Sequence, residues 1–195
     1  MDHYFKSHGY LAEGSIKNTR GQTLNIAAMP AILRTLLVTD GTVTKTLEAY
    51  FWETISVTNL EQDEIINTTP IEFLGSQTGE ALLDRRIHLV GKSSKTTYAY
   101  AHSFIRLDML PTEFRSDLKS GLIGIGEILR ETGLETYREL VDLGEYTNNE
   151  SDSDGNLDKL CLTNEHIIYR TYRIMINHNP VILVTEQFPI SIYQK

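Results

Sequence analysis

Close to the C-terminal end lies the run Val181-Ile182-Leu183-Val184-Thr185-Glu186-Gln187-Phe188-Pro189. Its β-branched and aromatic residues are typical of a buried strand, and Glu186 is the one carboxylate in it. Because an uncompensated buried charge is costly, this glutamate must be paired or functional. We expect its partners at Arg85 and Arg86, which open another strand-like segment. An acid and an arginine that meet in one cavity would suit a small substrate bearing a carboxylate.

Other segments predict further strands, mostly joined in sequential hairpins. Short turn-forming stretches separate two pairs of them. These pairs are 82–90 with 96–107, and 167–176 with 181–192. Rows of aromatic and β-branched residues predict two more strands, at 47–60 and 134–143.

Apolar residues at three- and four-residue steps predict an amphipathic helix over 26–37, which ends at the Asp40-Gly41 turn. Thr112 is placed to cap a short helix that runs to Leu118. A glycine-bearing turn from residue 121 leads into another short helix, which ends at about residue 130. The polar stretch 61–79 is expected to be a loop with a short element at 71–74.

About six strands in sequential hairpins, with three or four helices, predict an α+β fold in which helices pack on an antiparallel sheet. A chain of 195 residues fits a single domain over 1–195. Within it, we expect an irregular arm at 1–23 and a solvated loop insertion at 147–158.

The composition excludes several classes of partner. A formal net charge of −8 disfavours nucleic acid, whose phosphates require clustered cations, although one or two local arginines can still bind a small anion. No apolar run is long enough to span a bilayer, and the first residues lack the pattern of a signal peptide. We therefore expect a cytoplasmic protein without a membrane partner.

The sequence offers no metal site or disulfide framework. Cys161 is the only cysteine, and the six histidines form no pair with ligand spacing. The acidic run from Asp152 resembles a calcium loop, but Thr163 stands where a bidentate glutamate is needed.

Three candidate sites keep alternatives open. The Gly121–Gly126 turn either caps the helix that follows or forms a loop whose N–H groups bind a carboxylate. A phosphate-binding loop is the least favoured of the alternatives. His88 and His102 are structural or face a cavity. Strand alternation allows only one of Arg85 and Arg86 to face inward, either as a buried ion pair with Glu186 or as a substrate clamp.

Five segments, in order, resemble the chorismate pyruvate-lyase family, including its divergent bacterial and archaeal branches. They are Thr39-Asp40-Gly41-Thr42-Val43-Thr44-Lys45-Thr46-Leu47-Glu48, Arg85-Arg86-Ile87-His88-Leu89, Ser103-Phe104-Ile105-Arg106-Leu107-Asp108-Met109-Leu110-Pro111, Gly124-Ile125-Gly126-Glu127, and Tyr172-Arg173-Ile174 continuing through Pro180 to Thr185-Glu186-Gln187-Phe188.

The resemblance implies a six-stranded antiparallel sheet with a closed internal ligand cavity, and the elimination of pyruvate from chorismate to give 4-hydroxybenzoate. It implies no metal or organic cofactor. By the same resemblance, Arg85 binds the ring carboxylate together with a backbone N–H of Ile125 or Gly126. Glu186 faces the ring oxygen as general acid or base. Thr44 and Val43 line the cavity.

The chain also departs from the pattern of the ubiquinone-pathway lyases. His102 stands where they have an arginine, and Val43 where they have a methionine. A second carboxylate contact is then lost, or is made by Arg173 or Arg170. Two other functions remain open: a same-fold enzyme for a different carboxylate or acyl substrate, and a noncatalytic module that binds aromatic acids. The second is disfavoured because residues 1–23 are too short and too weakly basic for a helix-turn-helix.

Overall fold

A computed structural model describes residues 14–121, 123–147 and 165–194. The strands formed by these residues are β1 (Ile16–Lys17), β2 (Thr23–Leu24), β3 (Ile55–Ile66), β4 (Ala81–Gly91), β5 (Thr97–Ile105), β6 (Thr136–Thr147), β7 (His166–Ile176) and β8 (Asn179–Pro189). The helices are α1 (Ala31–Val38), α2 (Val43–Phe51), α3 (Thr112–Ser120), α4 (Ile125–Thr132) and α5 (Ile190–Tyr193).

The main sheet has six antiparallel strands in the order β3-β4-β5-β8-β7-β6. This confirms the predicted α+β fold and both predicted hairpins. The β7–β8 connection is tighter than expected, because Asn177 and His178 both adopt positive φ angles, of 48° and 63°. Such a two-residue turn matches the twist of the strands and lets β8 begin at Asn179.

Helices cover one face of the sheet in two groups. Buried residues of α1 and α2 pack on one end of that face, and those of α3 and α4 pack on the other end. The helical members are Leu33, Leu36, Leu37 and Leu47 in the first group, and Phe114, Leu118, Ile128 and Leu129 in the second. The space between the two groups is where a cavity can form over the middle of the sheet.

Two predicted elements on the N-terminal side were wrong in their bounds. The helix expected from residue 26 begins at Ala31, after a 3-10 turn at Ile26–Ala28, because Pro30 cannot donate within a helix and here directly precedes it. The strand expected from Leu47 begins at Ile55 instead. Val43 and Leu47, one helical turn apart, are buried in the core, and this packing overrides the strand preference of the aromatic residues that follow.

Smaller corrections concern the arm, the loop and one cap. The described part of the predicted irregular arm contains the paired strands β1 and β2. The predicted loop 61–79 is strand as far as Ile66, although its short element at Glu72–Leu74 is confirmed. Thr112 is the first residue of α3 rather than its cap. Most of the predicted insertion, 148–158, lies outside the described residues, and Thr147 is the last residue of β6.

Candidate active site

A cavity lies between the sheet and the first turns of α2 and α4. All six strands of the main sheet contribute to its walls, which are largely apolar. The residues that line it are Gly41, Thr42, Val43, Thr44, Val57, Arg85, Ile87, Leu89, Ala101, Ser103, Gly124, Ile125, Gly126, Arg138, Tyr172, Ile174, Val184 and Glu186. The predicted site residues Arg85, Glu186, Ile125, Gly126, Thr44 and Val43 are therefore brought together here.

Strand alternation decides which of the two adjacent arginines faces this cavity. The side chain of Arg85 is turned inward and only 1% exposed. Arg86 points to the other face of β4, where it forms ion pairs with Glu61 and Asp84. The inward arginine is the one that the family resemblance indicated.

The guanidinium of Arg85 is buried and forms no ion pair with a carboxylate in the described part of the chain. Its Nη2 donates to the carbonyl oxygen of Ile123 at 2.8 Å and to that of Gly121 at 3.4 Å. Its Nε and Nη1 are buried and have no hydrogen-bond partner among the described residues. Burial lowers the pKa of Arg85 to about 10, so the group stays cationic at neutral pH although its charge is poorly compensated. An anionic ligand in the cavity would supply the missing partners.

Glu186 does not pair with Arg85 or Arg86 as expected. Its partner is Arg170, directly opposite on β7, whose Nε donates to Oε2 of Glu186 at 2.7 Å. The hydroxyl of Tyr172 donates to the other carboxylate oxygen at 3.2 Å. Residues two apart on one strand share a face, so β7 supplies both contacts to the glutamate. Together they fix the orientation of a carboxylate that borders the cavity.

These contacts also fix the charge state of the groups around Glu186. Burial is the largest single effect and would lower the pKa of Arg170. The charge and hydrogen bond of Glu186, together with the charges of Tyr172 and Asp40, outweigh it, and the pKa of Arg170 is raised. Burial and the nearby carboxylate raise the pKa of Tyr172, which keeps its hydroxyl a donor. Nη1 of Arg170 also donates to the carbonyl oxygen of Thr39 at 2.8 Å, and so links the glutamate to the segment before α2.

The glycine turn and the start of α4 form the opposite wall. Gly124 is the residue before α4, so the N–H groups of Ile125 and Gly126 belong to the first turn, where no helical carbonyl is available to them. Gly126 packs closely against the residue that precedes α2, since a Cβ there would lie 3.2 Å from the side chain of Thr42. The N-terminal ends of α2 and α4 therefore lie side by side at the cavity, where the first-turn N–H groups of α4 could donate to a carboxylate.

Two predicted binding residues lie elsewhere. Ala101 and Ser103 of β5 face the cavity, so His102 between them faces the opposite side, where Nε2 lies 2.7 Å from Asp84. Arg173 is likewise turned away, and its Nε donates to Glu139 at 2.8 Å. Neither residue lines the cavity, because each falls on the outward phase of its strand.

Two residues with charged or hydroxyl groups at the cavity, Tyr172 and Arg138, were not among the predicted site residues. Both line the cavity, and the Arg138 guanidinium lies over the Tyr172 ring, 5.9 Å from its centroid. The available signal for Arg138 was the one that identified Arg85, namely an arginine within a predicted strand of the sheet.

A second, wider cavity of about 330 Å³ adjoins the first on its helical side. The two share Thr42, Thr44, Val57, Gly124 and Gly126. Lys45, Lys92 and Arg130 border this outer space, with Glu48 and Glu127. Within the described ranges, no three His, Cys, Asp or Glu side chains gather as metal ligands would, and no helix is long and apolar enough to cross a membrane.

The fold and the site define a chorismate lyase-like domain with an internal cavity that the buried Arg85 borders. Residues 37–194 match the family described as chorismate pyruvate-lyase Rv2949c-like. The chain belongs to this family.

Individual relatives agree with that membership. The chain is 32% identical over 174 residues to a chorismate pyruvate-lyase of Mycobacterium leprae, covering 83% of this chain and 76% of the relative. It is 26% identical over 167 residues to the chorismate pyruvate-lyase of Mycobacterium tuberculosis, covering 83% and 81%. Among solved structures, PhnF of Mycobacterium smegmatis shares the fold with a TM-score of 0.55 at 9% identity, over 78% of this chain and 65% of PhnF.

Proposed function

We propose that the protein is a cofactor-independent lyase that eliminates pyruvate from chorismate to give 4-hydroxybenzoate. The observation that carries this proposal is the buried Arg85, which borders the same cavity as Glu186 and keeps two donors, Nε and Nη1, without a partner among the described residues. Membership of the family and the names of its relatives supply the substrate.

In this proposal, Arg85 receives the ring carboxylate of the substrate. Its Nε and Nη1 have no hydrogen-bond partner among the described residues and can donate to this carboxylate, and such charge-assisted hydrogen bonds are stronger than neutral ones. The first-turn N–H groups of α4 add donors at the same end of the cavity. Apolar walls such as Ile87 and Val184 then hold the ring between the arginine and the glutamate.

Glu186 acts at the ring oxygen of the bound substrate. The bond between the ring carbon and the ether oxygen breaks, and the neighbouring ring carbon, which bears the hydroxyl, loses a proton, so that the ring becomes aromatic. The departing enolpyruvate takes up a proton and ketonises, and the products are pyruvate and 4-hydroxybenzoate. Aromatisation makes this chemistry strongly favourable, and the main task of the protein is to orient the substrate and exclude competing rearrangements. The fixed carboxylate of Glu186 supports such orientation, and it is placed to accept a proton or a hydrogen bond.

The test is to incubate the purified protein with chorismate, without added metal or nucleotide, and to follow pyruvate and 4-hydroxybenzoate separately. Equal amounts of both products, formed at a rate proportional to enzyme concentration, would support the lyase. Intact chorismate, with folded protein that still binds 4-hydroxybenzoate, would overturn the reaction and favour a noncatalytic module or an enzyme for another carboxylate.

A further inference from the structure

Arg138 is the second cation at the cavity. Of the described residues that line this space, Arg85 and Arg138 are the two that carry a positive charge. Within the described residues, Arg138 makes one side-chain hydrogen bond, from Nη1 to the carbonyl oxygen of Asp40, and forms no ion pair. Its Nε is buried and has no partner among the described residues. Like Arg85, it has donor capacity that the protein does not use.

The strand order places the two arginines on opposite sides of the glutamate. Arg85 is on β4, Glu186 on β8 and Arg138 on β6. In the order β3-β4-β5-β8-β7-β6, each arginine is two strands away from the glutamate. Neighbouring strands lie about 4.8 Å apart, so the backbones of β4 and β6 are separated by about 19 Å. Because both arginine side chains are long, the gap between their guanidinium groups can be as narrow as a small molecule.

The two arginines that the sequence offered for a second carboxylate contact are already engaged. Arg170 is paired with Glu186 and tied to the carbonyl oxygen of Thr39, and it does not line the cavity. Arg173 pairs with Glu139 on the other face. Neither can supply a second anion contact without giving up a buried ion pair or turning through the sheet.

We propose that Arg138 binds a second carboxylate of the substrate, the one on the enolpyruvyl arm, so that the cavity selects dicarboxylates. This proposal rests on the proposed function in that chorismate carries one carboxylate on its ring and one on that arm. Arg85 holds the ring carboxylate, Glu186 faces the ring oxygen between them, and Arg138 holds the leaving group. Its contact with the Asp40 carbonyl also ties the leaving-group end of the cavity to the segment that precedes α2.

Two stable aromatic probes test this without turnover. One is 3-(carboxymethoxy)-4-hydroxybenzoate, which carries both carboxylates, and the other is 4-hydroxy-3-methoxybenzoate, which lacks the second. By calorimetry, the wild-type protein should bind the dicarboxylate about tenfold or more tightly than the methoxy compound, the difference expected of one charge-assisted contact. Arg138→Gln should abolish this preference and change binding of the methoxy compound by less than about threefold.

Two control variants distinguish the effect of the Arg138 charge on probe binding from the effect of removing any arginine. Arg138→Lys keeps the cation and should retain part of the preference. Arg34→Gln removes an arginine on α1 whose contact is with the carbonyl oxygen of Ala27, and it should leave binding of both probes unchanged. The proposal is overturned if wild-type protein shows no dicarboxylate preference, or if Arg138→Gln keeps the preference or weakens both probes equally.

Steady-state kinetics with chorismate distinguish a failure of this proposal from a failure of the proposed lyase reaction. Under the proposal, Arg138→Gln raises KM for chorismate more than it changes affinity for 4-hydroxybenzoate. A variant with unchanged KM and kcat would overturn the role of Arg138 and leave the lyase standing. Wild-type protein that prefers the dicarboxylate probe, with the preference lost in Arg138→Gln, but does not convert chorismate would overturn the lyase and leave the role of Arg138 standing.

Discussion

Arg170 and Glu186 stand directly opposite each other on neighbouring strands and form a buried ion pair, with Nε and Oε2 2.7 Å apart. Both side chains are almost fully buried. The pair therefore serves two roles at once, since it holds the glutamate at the cavity and compensates two charges in the core.

The cost of separating this pair can be measured by a double-mutant cycle. Arg170→Met or Glu186→Gln alone leaves one buried charge without its counter-ion and should lower the free energy of unfolding by about 3–5 kcal/mol. The double variant removes both charges and should lose clearly less than the sum of the single changes. Urea unfolding of the four proteins gives the coupling, and additive losses would show that the two charges do not stabilise each other.

The same double variant isolates the chemical role of Glu186. It should fold, bind 4-hydroxybenzoate and turn chorismate over about 10²–10⁴-fold more slowly, because the acid or base is gone. Thr185→Ser, at the next residue, whose side chain bonds Thr171 instead, is the control and should keep wild-type turnover. Rapid turnover by a folded double variant would remove Glu186 from the mechanism.

Arg85→Met is expected to abolish ligand binding at little cost to stability. The variant loses two hydrogen bonds to carbonyl oxygens but also removes a buried charge that has no counter-ion among the residues the structure describes. The free energy of unfolding without ligand should therefore fall by no more than about 1 kcal/mol. Added 4-hydroxybenzoate should raise the Tm of wild-type protein and not that of the variant. A large loss of stability without ligand would mark Arg85 as structural instead.

Two glycines at helix C-termini form a matched pair. Gly121 follows α3 and Gly133 follows α4, both in the left-handed region, with φ of 72° and 62°. An added Cβ meets nothing near Gly133, but at Gly121 it would lie 2.5 Å from Nδ2 of Asn59. Gly133→Ala should therefore cost about 1 kcal/mol for the backbone alone, and Gly121→Ala clearly more. Equal losses, measured by thermal unfolding, would show that Asn59 moves aside freely.

Glu53 should make stability depend on pH in the acid range. Hydrogen bonds from Tyr98, and from Ser94 and Ser93 in the β4–β5 turn, lower the pKa of Glu53 from 4.5 to about 2. A carboxyl with a lower pKa when folded stabilises the protein above its unfolded pKa, and this contribution is lost as the pH falls from about 4.5 to about 2. The difference in unfolding free energy between wild type and Glu53→Gln should shrink over that interval. A difference that stays constant would contradict the assignment.

Local patterns were sufficient for much of the fold. The hairpins, the antiparallel sheet and the short helix after the glycine turn follow from strand periodicity and turn residues, which act over a few neighbouring positions. Errors arose where distant packing decides. Leu47 and the residues after it look like a strand, but burial of Val43 and Leu47 one helical turn apart makes them a helix.

The same distinction between local sequence and distant packing applies to the site. The sequence determined that Glu186 is a carboxylate in a buried strand, that only one of Arg85 and Arg86 can face inward, and that a glycine turn precedes a helix. The tertiary structure alone decided the rest. Pairing across β7 and β8 gave Glu186 the partner Arg170, and the phase of each strand turned His102 and Arg173 away from the cavity and Arg138 towards it. A one-residue shift in phase moves a side chain to the other face of a sheet, and only the register between strands distant in sequence determines that phase.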